Sequence, residues 1–300
     1  MIKIALAEWP PIRMKTDNER DIINVWRPSD LPQLELRRGV GVARPVPRHW
    51  HEEFQLCLIE AGAGELTYRG GDHPTPPASL FIVHPGETHS NRAYQGSGCS
   101  YRTFFIEPDM VRRAAAEIFN RDLGVPFFPA TVVFDRDVLG LFVQLHVALE
   151  THASLLERES LLLAFLKELT ARFGEQSAFA DSSGGKRASV KRAREFLIEC
   201  YSESVSLGQL ARAVGLSPFH FSRLFSEQFG MPPHAFQTQV RVARAKTFLL
   251  QGWSISQVAA RTGFADQSHL TRHFKRLVGV TPGQYQQSSK NVQDAAAPPS

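Results

Sequence analysis

An internal repeat constrains the fold of this chain more than any other feature. Residues 206–233 read SLGQLARAVGLSPFHFSRLFSEQFGMPP, and residues 254–283 read SISQVAARTGFADQSHLTRHFKRLVGVTPG. Matched positions are 48 residues apart up to Gly215 and Gly263, and 49 apart from His220 and His269 onward. One inserted residue inside a turn explains the change in spacing, so we expect two copies of a single helical unit.

Each copy carries the signals of a helix, a tight turn and a second helix. Ser206 and Ser254 each begin an S-x-x-Q capping box, which satisfies the exposed amide groups at a helix start. Gly215 and Gly263 are placed to end those helices, where a left-handed residue is needed. The pattern predicts two helix-turn-helix units, which typically place their second helix in the major groove of DNA.

The polar faces of the two second helices suit contacts with bases. Arg can form paired hydrogen bonds with guanine, Gln with adenine, and an apolar ring can contact the thymine methyl group. A connecting helix over residues 234–251 would be roughly 27 Å long and would separate the two units by nearly one DNA turn, about 34 Å. The predicted DNA-binding residues are Phe219, His220, Ser222, Arg223, Arg241, Arg244, Gln267, Ser268, Thr271, Arg272 and Lys275.

The charge of the chain is divided unevenly. Residues 186–290 contain 15 Lys or Arg and 5 Asp or Glu, giving +10, whereas residues 1–185 contain 19 and 24, giving −5. Asp294 contributes the remaining −1 of the net charge of +4. Phosphate binding favours a basic surface, so the C-terminal half is predicted to bind double-stranded DNA and the acidic half is not.

Residues 22–107 have the pattern of a β-rich domain. Short apolar runs such as FQLCLIE and SLFIVHP alternate with Gly- and Pro-rich turns, which predicts a small barrel or jelly roll. From residue 109 the apolar spacing becomes helical, at 110–119, 138–149 and 155–173. The last two helices must bury their apolar stripes either under the barrel or against the same helices of a second subunit.

Histidines form a second group of candidates. His49 and His51 are predicted to start a strand, and strand alternation places Gln55 on the same face. The segment PGETH at 85–89 would bring Glu87 and His89 to the same mouth of the barrel, where ligands bind. These imidazoles and the carboxylate suit a small polar molecule. The predicted ligand-binding residues are His49, His51, Gln55, Glu87 and His89.

Several classes of protein do not fit the sequence. The chain has no run of eighteen apolar residues, so no membrane span is expected. Its three cysteines lie far apart without a CxxC motif, which argues against a zinc ribbon or a disulfide framework. It contains neither GxxxxGK[ST] nor GxGxxG. We therefore expect a binding protein and not an enzyme, with no cofactor.

Residues 189–287 resemble the DNA-binding domain of the AraC/XylS family of bacterial transcription regulators. The segment GFADQSHLTRHFKRLVGVTPGQYQ, which begins at Gly263, matches that family's signature nearly position for position. The segment LARAVGLSPFHFSRLFSEQFGMPP of the first copy fits as well. The resemblance implies a cytoplasmic homodimer that binds asymmetric sites with two tandem readers, contacts RNA polymerase and activates transcription in response to a small-molecule effector.

The segments HWHEEFQLCLIEAGAGELTYRG and SLFIVHPGETHSNR resemble the cupin-type sensor domain of the same family. Cupin enzymes hold a metal through an H-x-H pair, a nearby Glu and a later His, and His49, His51 and His89 match three of these positions. Gln55 stands where the carboxylate would be. We therefore expect polar lining of a ligand pocket and no metal, while three imidazoles leave Zn²⁺ or Fe²⁺ as an alternative.

Together these features predict an α+β chain, with a cupin-like β-barrel and following helices, then two helix-turn-helix units joined by a linker helix. A cupin enzyme fused to a DNA-binding domain, a constitutive DNA-binding protein with a structural barrel, and a helical protein-interaction module are the alternatives. Met14 is an alternative start. The expected segments are 1–20, a disordered or mis-started N-terminus; 21–175, the sensing and dimerisation domain; 176–188, a linker; 189–287, the DNA-binding domain; and 288–300, a disordered tail.

Overall fold

The chain folds into two compact units. The computed structural model describes residues 21–94, 98–119, 122, 124–151, 153–175 and 185–287. The first unit comprises residues 1–45, 52–86 and 91–178, and the second comprises 46–51, 87–90 and 179–300. Two short segments of the predicted sensing domain, 46–51 and 87–90, therefore belong to the helical unit.

Two antiparallel sheets form the β-rich part of the chain, which confirms the predicted class of this half. The larger sheet has the order β1-β2-β9-β4-β7-β10 and the smaller has the order β3-β8-β5-β6. The strands are β1 (Ile22–Trp26), β2 (Leu34–Val42), β3 (Val46–His49), β4 (Phe54–Ala61), β5 (Gly64–Tyr68), β6 (Gly71–Thr75), β7 (Leu80–Val83), β8 (His89–Ala93), β9 (Cys99–Ile106) and β10 (Val132–Val133).

Strand β4 is buried on both faces, which explains its nearly continuous apolar sequence. It lies between β9 and β7 in the larger sheet. Leu56 and Leu58 point into a core shared with the helices of this unit. Cys57 and Ile59 point to the other side and pack with β5 and β7. The strand therefore separates two apolar cores.

Three helices follow the last long strand: α1 (Pro108–Phe119), α2 (Arg136–Glu150) and α3 (Leu155–Phe173). Their apolar stripes are buried against the larger sheet, as Phe142 of α2 and Phe165 of α3 show by packing on Phe104 of β9. Packing on the sheet, one of the two predicted destinations of these stripes, is confirmed. Leu156, however, is 75% exposed on α3, and Leu163 is exposed one heptad further along.

The second unit contains α4 (Gly185–Glu199), α5 (Leu207–Ala213), α6 (Pro218–Phe229), α7 (Pro233–Leu250), α8 (Ile255–Arg261) and α9 (Gln267–Val278). Both capping boxes form, because the Ser206 and Ser254 hydroxyls accept from the amides three residues later and those glutamines accept in return. Gly215 and Gly263 have φ of 69° and 74°, as the turns require. The two predicted helix-turn-helix units are therefore present.

Three predicted segments fall on the edges of the described chain. Helix α4 begins at Gly185, within the segment 176–188 that the sequence analysis predicts as a linker. Lys186 and Arg187 have high helix propensity and extend the helix by about one turn. The rest of the linker, 176–184, the N-terminal segment 1–20 and the tail 288–300 lie outside the described residues.

Candidate DNA-binding surface and histidine cluster

Helix α6 presents a partly polar face to solvent. Ser217 caps it by accepting from the His220 amide, and Pro218 occupies its first turn. Phe221 is wholly buried, whereas Phe219 is 81% exposed. The Phe219 ring is therefore accessible to another molecule.

Arg223 lies one turn after Phe219 on the exposed side of α6. Its guanidinium is solvent-accessible and lies 3.7 Å from the Glu227 carboxylate, a long and exposed ion pair that contributes little to stability. Ser222 and His220 are partly buried beside it. The predicted residues of α6 therefore share one accessible side, with Phe219 and Arg223 the most exposed.

Helix α9 has a more clearly divided surface. Asp266 caps it by accepting from the His269 amide at 2.7 Å, and the core side holds Leu270, Phe274 and Val278. The opposite side carries polar and basic side chains. Among the predicted residues, Gln267, Ser268, Arg272 and Lys275 are exposed and Thr271 is partly buried. Both second helices thus direct their predicted side chains outward.

Arg241 does not fit the prediction that it contacts phosphate. Its guanidinium donates to the carbonyl oxygens of Tyr201, Glu203 and Gly263 at 2.7–2.9 Å. Burial lowers the pKa of Arg241. Its hydrogen bonds join the loop before α5 to the turn between α8 and α9. Since three of its nitrogens are held by backbone, Arg241 has a structural role; the sequence indicates only that it is a basic residue on a polar face. Arg244 packs beside the Tyr201 ring.

Two glutamines also have matching structural roles that the sequence analysis did not identify. The Gln237 amide donates to the carbonyls of Tyr201 and Glu203, and the Gln286 amide donates to those of Leu249 and Trp253. They are 49 residues apart, the spacing of the repeat. The repeat therefore extends beyond the helix-turn-helix units, and its spacing is the signal that could have found this pair.

Three histidines meet in the second unit. The ligand nitrogens of His49, His51 and His89 all lie within 4.8 Å of one another, and the ring centroids of His49 and His89 are 4.1 Å apart. His49 ends β3, and His51 lies in the connection before β4 begins at Phe54. The prediction that both start one strand is wrong, because the chain leaves β3 after His49 and enters another sheet four residues after Trp50.

The environment of His89 favours a neutral imidazole. His89 is fully buried, and burial, followed by the neighbouring His49 and His51, holds its pKa well below the usual range. His49 Nδ1 lies 2.9 Å from the Pro47 carbonyl, and His89 Nδ1 lies 3.2 Å from the Glu87 carbonyl. A carbonyl oxygen only accepts, so Nδ1 donates in both rings and Nε2 carries the lone pair.

One predicted ligand residue, Gln55, lies in the first compact unit. Gln55 is buried in β4, where it pairs with Val83 of β7. The structure thus brings together three of the five predicted ligand side chains, His49, His51 and His89, with the Glu87 backbone as an acceptor, and places Gln55 in the first compact unit.

The histidine-bearing segments are attached to the helices of the second unit. The Trp50 amide donates to Gln239 Oε1 at 2.9 Å, and Gln239 Nε2 donates to the Arg48 carbonyl at 3.1 Å. The Trp50 ring stacks on Phe236 of α7 with a centroid distance of 5.1 Å. These residues were missed because their contacts join positions nearly 190 residues apart, and no local pattern reports such pairs.

Two further hydrogen bonds reach the end of α6. Arg48 Nη1 donates to the Gly230 carbonyl, and Thr88 Oγ1 donates to the Phe229 carbonyl at 2.6 Å. Both carbonyls belong to the last turn or the cap of the helix, where no intrahelical donor remains. The residues flanking the histidines therefore cap α6.

None of the helices in the described part of the chain combines the length and apolar composition needed to cross a membrane.

Family models match both halves of the chain. Residues 210–288 match a helix-turn-helix domain, and residues 41–166 match an AraC-like ligand binding domain. The uncharacterized HTH-type transcriptional regulator YbfI of Bacillus subtilis is 32% identical over 237 residues, which cover 79% of this chain and 86% of that protein. The HTH-type transcriptional activator RhaS of Pectobacterium carotovorum is 26% identical over 251 residues, with the same coverage.

Solved structures show a similar fold. The crystal structure of ToxT from Vibrio cholerae has a TM-score of 0.52 at 12% identity and covers 89% of this chain and 97% of that chain. At this identity the similarity concerns the fold alone. The double helix-turn-helix, the β-rich half and the extent of the match to YbfI together establish that the chain belongs to the AraC family of transcription regulators, with a ligand-binding domain and a DNA-binding domain.

Proposed function

We propose that the protein recognises a specific DNA site by placing α6 and α9 in major grooves, with Phe219, Ser222 and Arg223 on one helix and Gln267, Ser268, Thr271 and Arg272 on the other as the base-contacting residues. The observation that carries this proposal is the equivalent placement of Arg223 and Arg272. They are 49 residues apart and both exposed on the outward side of their helices. Exposed guanidinium groups on two such helices suit paired hydrogen bonds with guanine.

His220, Arg244 and Lys275 supplement these contacts by binding phosphate. Lys275 is exposed near the end of α9, and Arg244 is partly buried on the connecting helix α7. A basic half of the chain, with a net charge of +10 over residues 186–290, supports the same use. Arg241 is left out because its guanidinium holds backbone carbonyls.

The regulatory side of the proposal concerns a polar ligand that binds at the histidine cluster and alters DNA affinity. The activity of the protein is binding and not catalysis, in keeping with its relatives, which are transcription regulators. RhaS is named an activator, and by analogy this chain activates transcription through RNA polymerase in the cytoplasm, where bacterial DNA is transcribed.

Dimerisation through α3 completes the proposal. Leu155, Leu156 and Leu163 are exposed on this helix, whereas Leu162, Leu166 and Leu169 are buried. Exposed leucines one heptad apart form the kind of apolar seam that pairs with the same helix of a second copy. A dimer would present four recognition helices to DNA.

The test is binding of the full chain to the DNA upstream of its own gene, measured by footprinting and titrated with salt. We expect protection over two adjacent major grooves per subunit and a steep fall of log affinity against log salt concentration. Arg272→Ala is expected to weaken binding to that site by roughly 1–3 kcal/mol, with less effect on random DNA.

Arg113→Ala is the matched control, since Arg113 is another exposed arginine, in the first compact unit, and its ion pair with Asp109 lies on α1. It should leave DNA binding unchanged. Equal, weak binding of the wild-type protein to all DNA sequences would contradict the proposal. An equal loss on random DNA in the Arg272 variant would make Arg272 a phosphate contact.

A further inference from the structure

The histidine cluster has a composition and geometry that identify its ligand more closely. The geometry points to a three-histidine site for a divalent transition-metal ion of the zinc type, formed by His49, His51 and His89, whose occupancy strengthens operator binding by fixing the two segments that cap α6. This inference rests on the proposed function, because it names the ligand class of the same regulatory site.

Three imidazoles are a sufficient protein ligand set for such an ion. Zinc sites with three histidines keep a fourth position for water or an exchangeable ligand. Bonds of about 2.0–2.1 Å in a tetrahedral arrangement place ligand nitrogens about 3.3 Å apart, so separations of up to 4.8 Å would have to shorten by at most about 1.5 Å. The described cluster, with its ligand atoms within 4.8 Å of one another, is thus near the geometry that a metal would impose.

Two of the three rings make the hydrogen bond that ligating histidines usually make. A metal-bound imidazole donates its other N–H to a carbonyl or carboxylate, which fixes the ring orientation. His49 donates to the Pro47 carbonyl and His89 donates to the Glu87 carbonyl, and in both rings this leaves the lone pair on Nε2. Both acceptors are backbone atoms two residues before the histidine, so each ring is oriented by its own segment.

Imidazole nitrogen also selects among cations. An all-nitrogen site suits Zn²⁺, Cu²⁺, Ni²⁺ or Fe²⁺, whereas Mg²⁺ and Ca²⁺ require oxygen ligands. A neutral sugar or an amino acid would not need three imidazoles within 4.8 Å of one another, and this close spacing is what separates a metal from an organic effector.

Residues next to the histidines contact the DNA-binding helices directly. Arg48 directly precedes His49, and Thr88 directly precedes His89. These two residues cap α6 through the Gly230 and Phe229 carbonyls. Trp50 lies between His49 and His51, and its ring and amide contact α7. Strand β3 also lies against α9.

Cross-linking the two segments through one ion would therefore hold α6, α7 and α9 in one arrangement. A ligand that rigidifies the DNA-binding helices before DNA binds lowers the conformational entropy that is lost on DNA binding. We expect operator affinity to increase with metal for this reason.

The experiment uses the full chain after treatment with a chelator and dialysis, with Zn²⁺ alone as the probe. Calorimetry should show one Zn²⁺ bound per chain, and Co²⁺ should give the visible absorption of a tetrahedral nitrogen site. His51→Gln and His49→Gln should each weaken Zn²⁺ binding by at least about tenfold, the loss that even an outer-shell change produces. His73→Gln, a partly buried histidine of β6 outside the cluster, is the matched control and should bind normally.

Operator affinity is then measured with and without Zn²⁺. The expected result is a decrease in Kd of about fivefold or more for the wild type and none for His51→Gln. The metal site would be overturned if the wild-type protein did not bind Zn²⁺ stoichiometrically. It would also be overturned if the His51 and His49 variants bound Zn²⁺ as tightly as the wild type.

Normal Zn²⁺ binding with unchanged or weaker operator affinity would overturn the coupling. The loss of all specific DNA binding, with or without Zn²⁺, would instead contradict the proposed function, so the two failures are distinguishable. Thermal unfolding of each variant without metal identifies any that fails to fold, and the second histidine variant then decides the outcome.

Discussion

The first helix-turn-helix unit, α5 and α6, and the second, α8 and α9, have the same local sequence pattern in different surroundings. The core of the first includes Trp50, a side chain from a β-strand connection nearly 190 residues away from α7. The second is completed by Tyr285, which follows it directly in the chain and packs on Phe274. The repeat therefore specifies two similar folds, and the first also takes Trp50, which lies between His49 and His51, into its core.

Because of this difference, a change at the histidine cluster should affect the first helix-turn-helix through contacts that the second does not have in the same form. A change at the histidines reaches the first unit through its core and through the cap of α6. The second helix-turn-helix ends in a strongly basic turn, with Lys275 and Arg276.

The largest expected effect is on stability, and it should differ between the two helix-turn-helix units because only the core of the first contains Trp50. Trp50→Ala removes a buried ring that stacks on Phe236, so the free energy of unfolding of the second compact unit should fall by about 3–5 kcal/mol. Hydrogen exchange should increase in α4, α6 and α7 more than in α8 and α9. Urea unfolding and exchange measured on the full chain provide the test.

Trp253→Ala is the control for that prediction, because Trp253 is a partly exposed tryptophan before α8 that packs on Phe248 and Arg261. Its effect should be smaller and confined to the second helix-turn-helix. If both substitutions destabilised the two helix-turn-helix units equally, the cores would not be separate and the comparison would be incorrect.

A second prediction concerns the two equivalent turn glycines. Gly215 and Gly263 both have positive φ, so alanine at either costs about 1–2 kcal/mol in backbone strain. A Cβ at Gly215 would meet open space, whereas at Gly263 it would collide with the Ser202 carbonyl. Gly263→Ala should therefore lower the free energy of unfolding clearly more than Gly215→Ala does, as measured by urea denaturation. If both substitutions lowered the free energy of unfolding equally, the backbone near Ser202 would move away from the new methyl group without a further loss of stability.

Local features of the fold were predictable from the sequence, because each is determined by a few neighbouring residues. The capping boxes at Ser206 and Ser254, the positive-φ glycines and the helix bounds follow from rules that act within about four residues. Long-range contacts were not predictable in this way. Arg241 has the sequence features of a phosphate contact, and only the positions of three distant carbonyls show that it holds the loops together.

The histidine site shows the same limit. Alternation along one assumed strand placed His49 and His51 correctly in the same region but also included Gln55, which the structure assigns to the other unit. The assumption failed because the chain changes sheets between His49 and Phe54. His89 was found through the resemblance to a known motif, and its closeness to the other two depends on the pairing of distant strands.

The smallest expected effect is a difference in acid sensitivity between the two units. Burial, together with Arg276, His269 and Arg272, lowers the pKa of His273 from 6.5 to about 4. The Arg276 guanidinium lies 3.0 Å from His273 Nδ1 and favours the neutral ring. The equivalent position of the first unit, 49 residues earlier, is Leu224, which does not titrate.

An unfolded His273 titrates near pH 6.5 and the folded one near pH 4, so between these values the unfolded chain binds more protons. The stabilising contribution of the neutral ring is therefore complete above pH 6.5 and is lost progressively as the pH falls toward 4. His273→Leu, which copies the first unit, should make the free energy of unfolding fall less steeply between pH 6.5 and 4. The effect is modest because the ring is partly exposed and solvent screens the nearby arginines.

His234→Leu removes an exposed histidine of α7 and is the control for general effects of losing an imidazole. Urea unfolding of the three proteins at several pH values between 4 and 7 should separate the His273 variant from the other two. If all three curves have the same slope, the neutral state of His273 is not maintained by the fold, and the two helix-turn-helix units respond alike to acid. A smaller slope in the His273 variant alone would locate the acid-sensitive part of the DNA-binding domain in the second helix-turn-helix.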